Sequence, residues 1–326
     1  MPTEQQISEA LQSLLVLPED QAEELFKRAV NFDYWKGFAP AMGLLDMGSL
    51  DHLEGAAYTS EQEEWALGHL RTHGYFRMPP LVAPDVTARM CTALEMLRNA
   101  GWPAVFTYVY DEFWAVWRLP AMVRLLSNCL GEGYLQTSGV WTYRVNPMQR
   151  GSGWPPHVDS RNHAERLTVW IALTEATIDN GCMYVIPQDR VPPNLPASYL
   201  DWTSISAQEL SRLLHSVTPL PAVAGSVLGW NDRLIHWGGG STELASGPRI
   251  SVAAEFLREG TRPLRSEIPV LDVNLPDFTA RLLVIGQMIL TYEKFEPLMR
   301  RYRGLARRLV QWASSPARGC VRPGLG

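Results

Sequence analysis

The stretch Trp154-Pro155-Pro156-His157-Val158-Asp159-Ser160 places a histidine and an aspartate two residues apart at the end of a Gly/Pro-broken run. In an extended chain, residues two apart point to the same side, so His157 and Asp159 offer an imidazole and a carboxylate to one point in space. That is half of a metal site, and a His-x-Asp pair alone is a weak signal. Its weight comes from two later stretches, Gly229-Trp230-Asn231-Asp232-Arg233-Leu234-Ile235-His236-Trp237 and Arg249-Ile250-Ser251.

Two imidazoles and one carboxylate on one side of an ion, with the opposite side open, suit a non-haem Fe(II) oxygenase. Such a site needs a cation beyond the second histidine if its open side is to hold a dicarboxylate. The planar guanidinium of Arg249 can fork onto a carboxylate, and on an extended strand the Ser251 hydroxyl points the same way. Either histidine alone reads as a hydrogen-bonded core residue, and Arg249 alone as a structural ion pair. The order of all four elements favours the ligand reading.

Around these residues the chain has a β texture. The runs Tyr134 to Val145, Leu167 to Leu173, Cys182 to Ile186, Ser226 to Leu228 and Arg249 to Leu257 are rich in β-formers, and Asp179-Asn180-Gly181 marks a tight turn. Short strands separated by turns predict a sandwich or jelly roll. Residues 188–224, rich in proline with a helical patch from Ala207 to His215, form an insertion too long for a plain connection, of the kind used for lids and binding loops.

Outward from the core the periodicity becomes helical. A helix is expected after Thr3, with Leu11, Leu14 and Leu15 as its apolar stripe, and a second from Pro18 towards Trp35. Residues 36–59 read as an irregular connection. Ser60-x-x-Glu63 opens a further helix that Gly74 ends, with a short strand at Tyr75-Phe76-Arg77-Met78. Helices are expected from Pro84 to Gly101, with Val86, Met90, Leu94 and Leu97 inward, from Asp111 to Gly131, and from Asp277 to about Trp312. The expected organisation is one domain: a helical N-terminal portion (1–131), a mainly β core (134–258) carrying the 188–224 insertion, and C-terminal helices (276–313) packed outside.

Composition narrows the function classes. The 326 residues are 46% hydrophobic, enough for a sizeable core, and the net charge of −5 lacks the basic footprint of a nucleic-acid binder. Cys91, Cys129, Cys182 and Cys320 form no C-x-x-C pair, so reduced thiols are expected rather than disulfides or a structural zinc. No apolar run approaches a membrane span, and Met1-Pro2-Thr3-Glu4-Gln5 lacks a basic start, so a cytoplasmic enzyme acting on a small molecule is the expectation. His69 and His73 stand at i and i+4, but Leu70 rules out the H-E-x-x-H zinc motif. Gly238-Gly239-Gly240 lacks a phosphate-loop lysine and is read as letting the backbone pass close to the metal. Arg300, Arg301, Arg303, Arg307 and Arg308 read as a solvated helix face, with a carrier domain or coenzyme A thioester as the alternative partner.

Taken together, His157-x-Asp159, Leu167-Thr168-Val169-Trp170-Ile171-Ala172-Leu173, Asn180-Gly181-Cys182-Met183-Tyr184-Val185-Ile186-Pro187, His236 and Arg249-x-Ser251 resemble the phytanoyl-CoA dioxygenase family. These are Fe(II)- and 2-oxoglutarate-dependent oxygenases built on a double-stranded β-helix, a cupin-like jelly roll. The resemblance implies His157, Asp159 and His236 as iron ligands, Arg249 as partner of the distal cosubstrate carboxylate, and Ser251 as its neighbour. Trp170 falls where relatives place an aromatic near the cosubstrate. Arg144-Val145-Asn146 is similar to an Arg-x-Asn of ectoine-hydroxylase-like members, in which the Asn helps hold it. After Pro187 the chain reads Gln188-Asp189-Arg190 where relatives commonly have Gly-Ser-His, so the substrate class does not carry over.

The implied chemistry is oxidative decarboxylation of 2-oxoglutarate by O2 to succinate and CO2, with hydroxylation of an unactivated carbon. Because Asp159 is a carboxylate, the position that a halide takes in the family's halogenases is filled. Desaturation, epoxidation, ring formation or a catalytically silent binding module are the alternatives. Trp141, Tyr143, Trp154 and Arg161 flank the first ligand pair and are the expected substrate contacts. An amino acid, a natural-product intermediate and an acyl thioester all remain open as substrates, as does the oligomeric state.

Overall fold

The computed structural model describes residues 16–45, 55–147, 155–159, 166–191, 206–261, 275–293 and 297–315. The helix expected after Thr3 and residues 192–205 of the insertion lie outside the described residues.

The N-terminal portion is helical: α1 (Glu19–Ala29), α2 (Phe32–Phe38), α3 (Ser60–His73), α4 (Pro84–Asn99), α5 (Glu112–Ala115) and α6 (Pro120–Leu130). Asn31 caps α2 by accepting from the Tyr34 N–H, which separates it from α1. Helix α3 starts one residue earlier in its capping than the Ser60/Glu63 pair predicts: the box is Thr59 with Gln62. Glu63 is instead buried and accepts hydrogen bonds from Tyr58, Arg124 and Asn128, which ties α3 to α6. The single helix expected from Asp111 to Gly131 is broken into α5, a 3-10 turn (Val116–Arg118) and α6. Pro120 is the cause, since a proline clashes with the preceding turn and is accepted only as the first residue of a new helix. The C-terminal helix is divided in the same way into α8 (Phe278–Tyr292), a 3-10 turn that begins at Pro297 (Pro297–Tyr302), and α9 (Arg303–Ala313), while α7 (Ala207–Ser216) occupies the insertion.

Eight strands follow the expected β runs, with two additions. They are β1 (Tyr75–Pro80), β2 (Leu135–Val145), β3 (Arg166–Ala172), β4 (Met183–Ile186), β5 (Thr218–Leu220), β6 (Ser226–Asn231), β7 (Ile235–Gly238) and β8 (Arg249–Leu257). The short β5 and β7 carry too few residues to show alternation and were not expected. The strands form an antiparallel five-stranded sheet, β1-β6-β3-β8-β2, and a three-stranded sheet, β5-β4-β7. This is the expected double-stranded β-helix with helices outside, its two sheets not joined into a closed barrel by ladders among the described residues.

The pleat assigns each strand residue a side. On β3, Leu167, Val169 and Ile171 join the large apolar core beneath the helices, while Trp170 and Ala172 face the space between the sheets. On β8, Ile250, Val252, Ala254 and Phe256 face the helices, and Arg249, Ser251, Ala253 and Glu255 take the other side. The helix-side core runs without a break from Trp35 through Phe106, Trp114 and Trp117 to α8 and α9. Each such buried aromatic contributes about 1.5–3 kcal/mol relative to exposure. Arg281 of α8, fully buried, pairs with the equally buried Asp111 at 2.6 Å and donates to the Val109 carbonyl, which anchors α8 to the stretch just before α5.

Cys91, Cys129 and Cys182 are free thiols, as expected; Cys320 lies outside the described residues. No described helix is long and apolar enough to cross a membrane. The arginine run is only partly a solvated face: Arg303 and Arg300 bond to Glu293, and Arg308 pairs with Glu19 and Glu23 of α1.

Candidate metal centre

The first and second ligand stretches meet through the backbone. His157 and His236 form an isolated antiparallel bridge, each N–H donating to the other's carbonyl at 3.1 and 3.0 Å, so their rings lie side by side with centroids 4.4 Å apart. Asp159 completes the group, and the ligand atoms of the three residues all lie within 4.8 Å of one another. The small sheet supports this: β7 holds His236, and Leu213 of α7 packs with Ile235 and Ile186 against Val158, between the two upstream ligands.

Hydrogen bonds decide which atoms face inward. Nδ1 of His157 lies 2.8 Å from the Pro155 carbonyl, and Nδ1 of His236 lies 3.0 Å from the Leu234 carbonyl. A carbonyl only accepts, so both Nδ1 atoms carry a proton and both rings turn Nε2 to the other side. Each Nε2 faces the same Asp159 Oδ1, at 3.6 and 3.5 Å. Oδ2 of Asp159 is already engaged, accepting from Thr168 Oγ1 at 2.7 Å and from Trp230 Nε1 at 3.1 Å. Burial, and after it the neighbouring His236 imidazole, push the His157 pKa down to about 4, so its ring is neutral at pH 7. Two imidazole nitrogens and a carboxylate oxygen turned to one point suit a cation, and imidazole with carboxylate is a donor set for Fe(II).

Arg249 stands at the other end of the same wall. Its guanidinium is 2% exposed, donates from Nε to the Gly181 carbonyl at 2.9 Å and from Nη1 to Ser251 Oγ at 2.9 Å, and lies over the Tyr143 and Trp170 rings at 5.4 and 5.9 Å. The Asp179-Asn180-Gly181 turn aims that carbonyl: Gly181 has φ +89°, and a Cβ there would stand 2.3 Å from the Gly239 carbonyl oxygen. The glycines at 238–240 therefore serve this close packing of Gly239 on Gly181; only Gly238 lines the cavity. Burial pushes the Arg249 pKa down to about 10, which leaves it charged at pH 7, and no carboxylate pairs with it among the described residues. A buried cation without a counter-ion is costly, so the site fits an anion brought from outside.

A cleft of about 80 Å³ joins the two ends, lined by Trp141, Tyr143, His157, Asp159, Trp170, Met183, Trp230, His236, Gly238, Arg249, Ser251, Glu255 and Tyr292. Trp141, Tyr143 and Trp170 are thus on its wall as expected. Arg144 and Asn146 are not. On β2 the odd-numbered Trp141 and Tyr143 face the cleft, so the pleat turns Arg144 to the helix side, where it pairs with Glu95 of α4 at 2.8 Å. Asn146 lies exposed just beyond the strand. Neither lines the cleft, so the cosubstrate roles expected for these two find no support in its wall. Trp154 and Arg161 lie outside the described residues.

Several residues of the site were not anticipated. Thr168 shares Trp170's side of β3, and Glu255 shares Arg249's side of β8, so the alternation could have found them both. Glu255 accepts from Arg166 at 3.1 Å and lies across the ladder from Thr168. Trp230, Met183 and Tyr292 reach the site only through tertiary packing.

The model of the family described as phytanoyl-CoA dioxygenase (PhyH) matches residues 70–246, just over half of the chain. The chain belongs to the phytanoyl-CoA dioxygenase family. Membership makes it an oxygenase of the non-haem iron, 2-oxoglutarate-dependent kind, and the donor set and buried arginine fit iron, 2-oxoglutarate and dioxygen. No curated protein matches the sequence. Among solved structures, the fold is similar to the non-heme alpha ketoglutarate dependent epimerase SnoN from nogalamycin biosynthesis, at 17% identity over 68% of this chain and 97% of that one, with a TM-score of 0.51. A second SnoN structure, in complex with Fe3+, alpha ketoglutarate and nogalamycin RO, gives 17% identity, 66% and 97% coverage and a TM-score of 0.50.

Proposed function

We propose that this phytanoyl-CoA dioxygenase family member hydroxylates an unactivated carbon of a small organic substrate, with release of succinate and CO2. The observation that carries the reading is the convergence of His157 Nε2, His236 Nε2 and Asp159 Oδ1, each turned to one point while the other heteroatom of its side chain is hydrogen-bonded. In this reading these three atoms hold Fe(II). When bound, the iron with 2-oxoglutarate and O2 supplies the oxidant for the C–H bond.

The chain's own residues do the positioning. Arg249 and the Ser251 hydroxyl hold the distal carboxylate of 2-oxoglutarate, while the Tyr143 and Trp170 rings cover the guanidinium and keep water from it. Thr168 and Trp230 keep Asp159 turned towards the metal. Asp159 occupies the position a halide would need, which favours hydroxylation over halogenation. The cleft walls of Trp141, Tyr143 and Tyr292 suit a small molecule with an apolar or ring-bearing portion.

Succinate release from 2-oxoglutarate under air tests this. Slow formation without added substrate, dependent on both Fe(II) and 2-oxoglutarate, and stimulated by the true substrate, is expected. No succinate with any candidate substrate, although iron is bound, would make the protein a binding module.

A further inference from the structure

The inner face of β8 carries Arg249, Ser251, Ala253 and Glu255 in order, and all but Ala253 line the cleft. Their ladder partners on β3 fix where each stands: Ser251 pairs with Ala172, Ala253 with Trp170, and Glu255 with Thr168, the residue that holds Asp159. Glu255 is therefore at the metal end of the strand, and Arg249 and Ser251 are at the other. At about 3.3 Å per residue, Ser251 and Glu255 lie about 13 Å apart along β8, whereas 2-oxoglutarate has four carbon–carbon bonds of about 1.5 Å each. Held at Arg249 and Ser251, the cosubstrate ends short of Glu255, so what meets this carboxylate in the cleft is the substrate.

The neighbouring strand is shaped around the Glu255 carboxylate. Between the pairs Gln136–Phe256 and Val140–Ala254, β2 sets Thr137, Ser138 and Gly139 against Glu255 alone, a bulge that interrupts the ladder at this one point. A Cβ at Gly139 would stand 2.8 Å from the Glu255 carboxyl carbon, so glycine leaves that group its place. Its Oε2 accepts from Arg166 Nη1 at 3.1 Å, and both side chains are mostly buried. The charge of Glu255 is thus balanced by Arg166. In the oxygenase reading the charges of iron, Asp159, Arg249 and the 2-oxoglutarate dianion also cancel. An ionic group brought by the substrate would stand here without a counter-charge, whereas a neutral O–H donates to the carboxylate without that cost.

We infer that Glu255 is the specificity residue of the cleft: it accepts a hydrogen bond from a hydroxyl group on an uncharged part of the substrate, and so sets which carbon faces the metal. The inference rests on the oxygenase reading for the reaction, and on the β8 register and the β2 bulge for what Glu255 binds. It selects alcohols over amines and over carboxylates.

The test titrates isobutanol, isobutylammonium and isobutyrate, which share one branched end, into the full chain loaded with Fe(II) and 2-oxoglutarate under exclusion of air, and reads each affinity by ligand-observed NMR. Isobutanol is expected to bind about tenfold or more tightly than either ion. Glu255→Leu erases that preference by lowering isobutanol affinity about tenfold or more, while Glu255→Gln, which keeps an acceptor oxygen, stays within about threefold of wild type. If Glu255→Leu fails to fold with Arg166 uncompensated, as the melting temperature will show, Arg166→Met combined with Glu255→Leu removes both charges and carries the same expectation. A tighter ammonium, equal affinities for alcohol and ions, or an isobutanol affinity unmoved in the folded variants overturns the inference. Affinities lowered together for all three probes mark a merely structural ion pair and overturn it as well. Selective alcohol binding that Glu255→Leu abolishes, in a protein that releases no succinate, supports the role of Glu255 and overturns only the oxygenase reading.

Discussion

Replacing Arg249 by leucine separates the cost of the empty site from the gain of filling it. In the folded protein, burial lowers the Arg249 pKa to about 10 from the usual arginine range. At about 1.4 kcal/mol per tenfold change in proton affinity, that is roughly 3 kcal/mol held against the folded state by this buried charge. A carboxylate arriving beside the guanidinium removes this penalty, so about 3 kcal/mol of 2-oxoglutarate binding is tied to Arg249, a factor on the order of 100 in affinity. Arg249→Leu is therefore expected to raise the 2-oxoglutarate needed for half-maximal succinate release about 100-fold, with iron content unchanged. The same substitution deletes the bonds to the Gly181 carbonyl and to Ser251, each worth about 1 kcal/mol, against the relieved penalty. The variant without 2-oxoglutarate should consequently melt no lower than wild type, whereas only the wild type gains stability on adding it. The assays are a 2-oxoglutarate titration of succinate release and melting curves with and without the cosubstrate. A requirement within fivefold of wild type, or equal thermal gains in both proteins, would refute the reasoning and place the anchor elsewhere.

Three further outcomes are expected. His236→Ala leaves two protein ligands and should lose iron on desalting; full occupancy measured by metal analysis would remove His236 from the site. Trp230→Phe keeps the ring but loses the donor to Asp159 Oδ2, so iron affinity should fall about 10-fold with the fold intact, and an unchanged metal titration would show that Thr168 suffices. Asp232 is 1% exposed, neither carboxylate oxygen has a hydrogen-bond partner among the described residues, and burial raises its pKa to about 6. Its folded form binds the proton more tightly than the unfolded chain, so stability is lost as pH rises from about 4 to about 6 and stays lost above. Asp232→Asn should match wild type near pH 4 and exceed it by about 1–3 kcal/mol at pH 7 in denaturant unfolding; equal stability at pH 7 would mean that the carboxylate is solvated.

The strand and helix faces were legible wherever a period ran long enough. Val86, Met90, Leu94 and Leu97 on α4 and the alternation on β3 and β8 point where the sequence places them, because burial of one face selects the register. The misreadings have local causes. Pro120 and Pro297 divide what looked like continuous helices, and on β2 the same alternation that brings Trp141 and Tyr143 to the cleft denies it to Arg144. Glu255 was equally legible on that ground and was passed over, since nothing in a single strand says how far along its inner face a site extends.

By itself the sequence determined the identity and order of the chemistry: His157-x-Asp159, His236 and Arg249-x-Ser251, spaced along strands whose inner faces their parity selects. Donor type and side are local properties, carried by residue identity and a period of two. Only the tertiary structure decided that His157 and His236 bridge through their backbones, that Pro155 and Leu234 carbonyls turn both Nε2 atoms to Asp159, and that Tyr292 closes the cleft over β2. Those are contacts between segments tens of residues apart, set by how the sheets and helices pack, and no local pattern carries them.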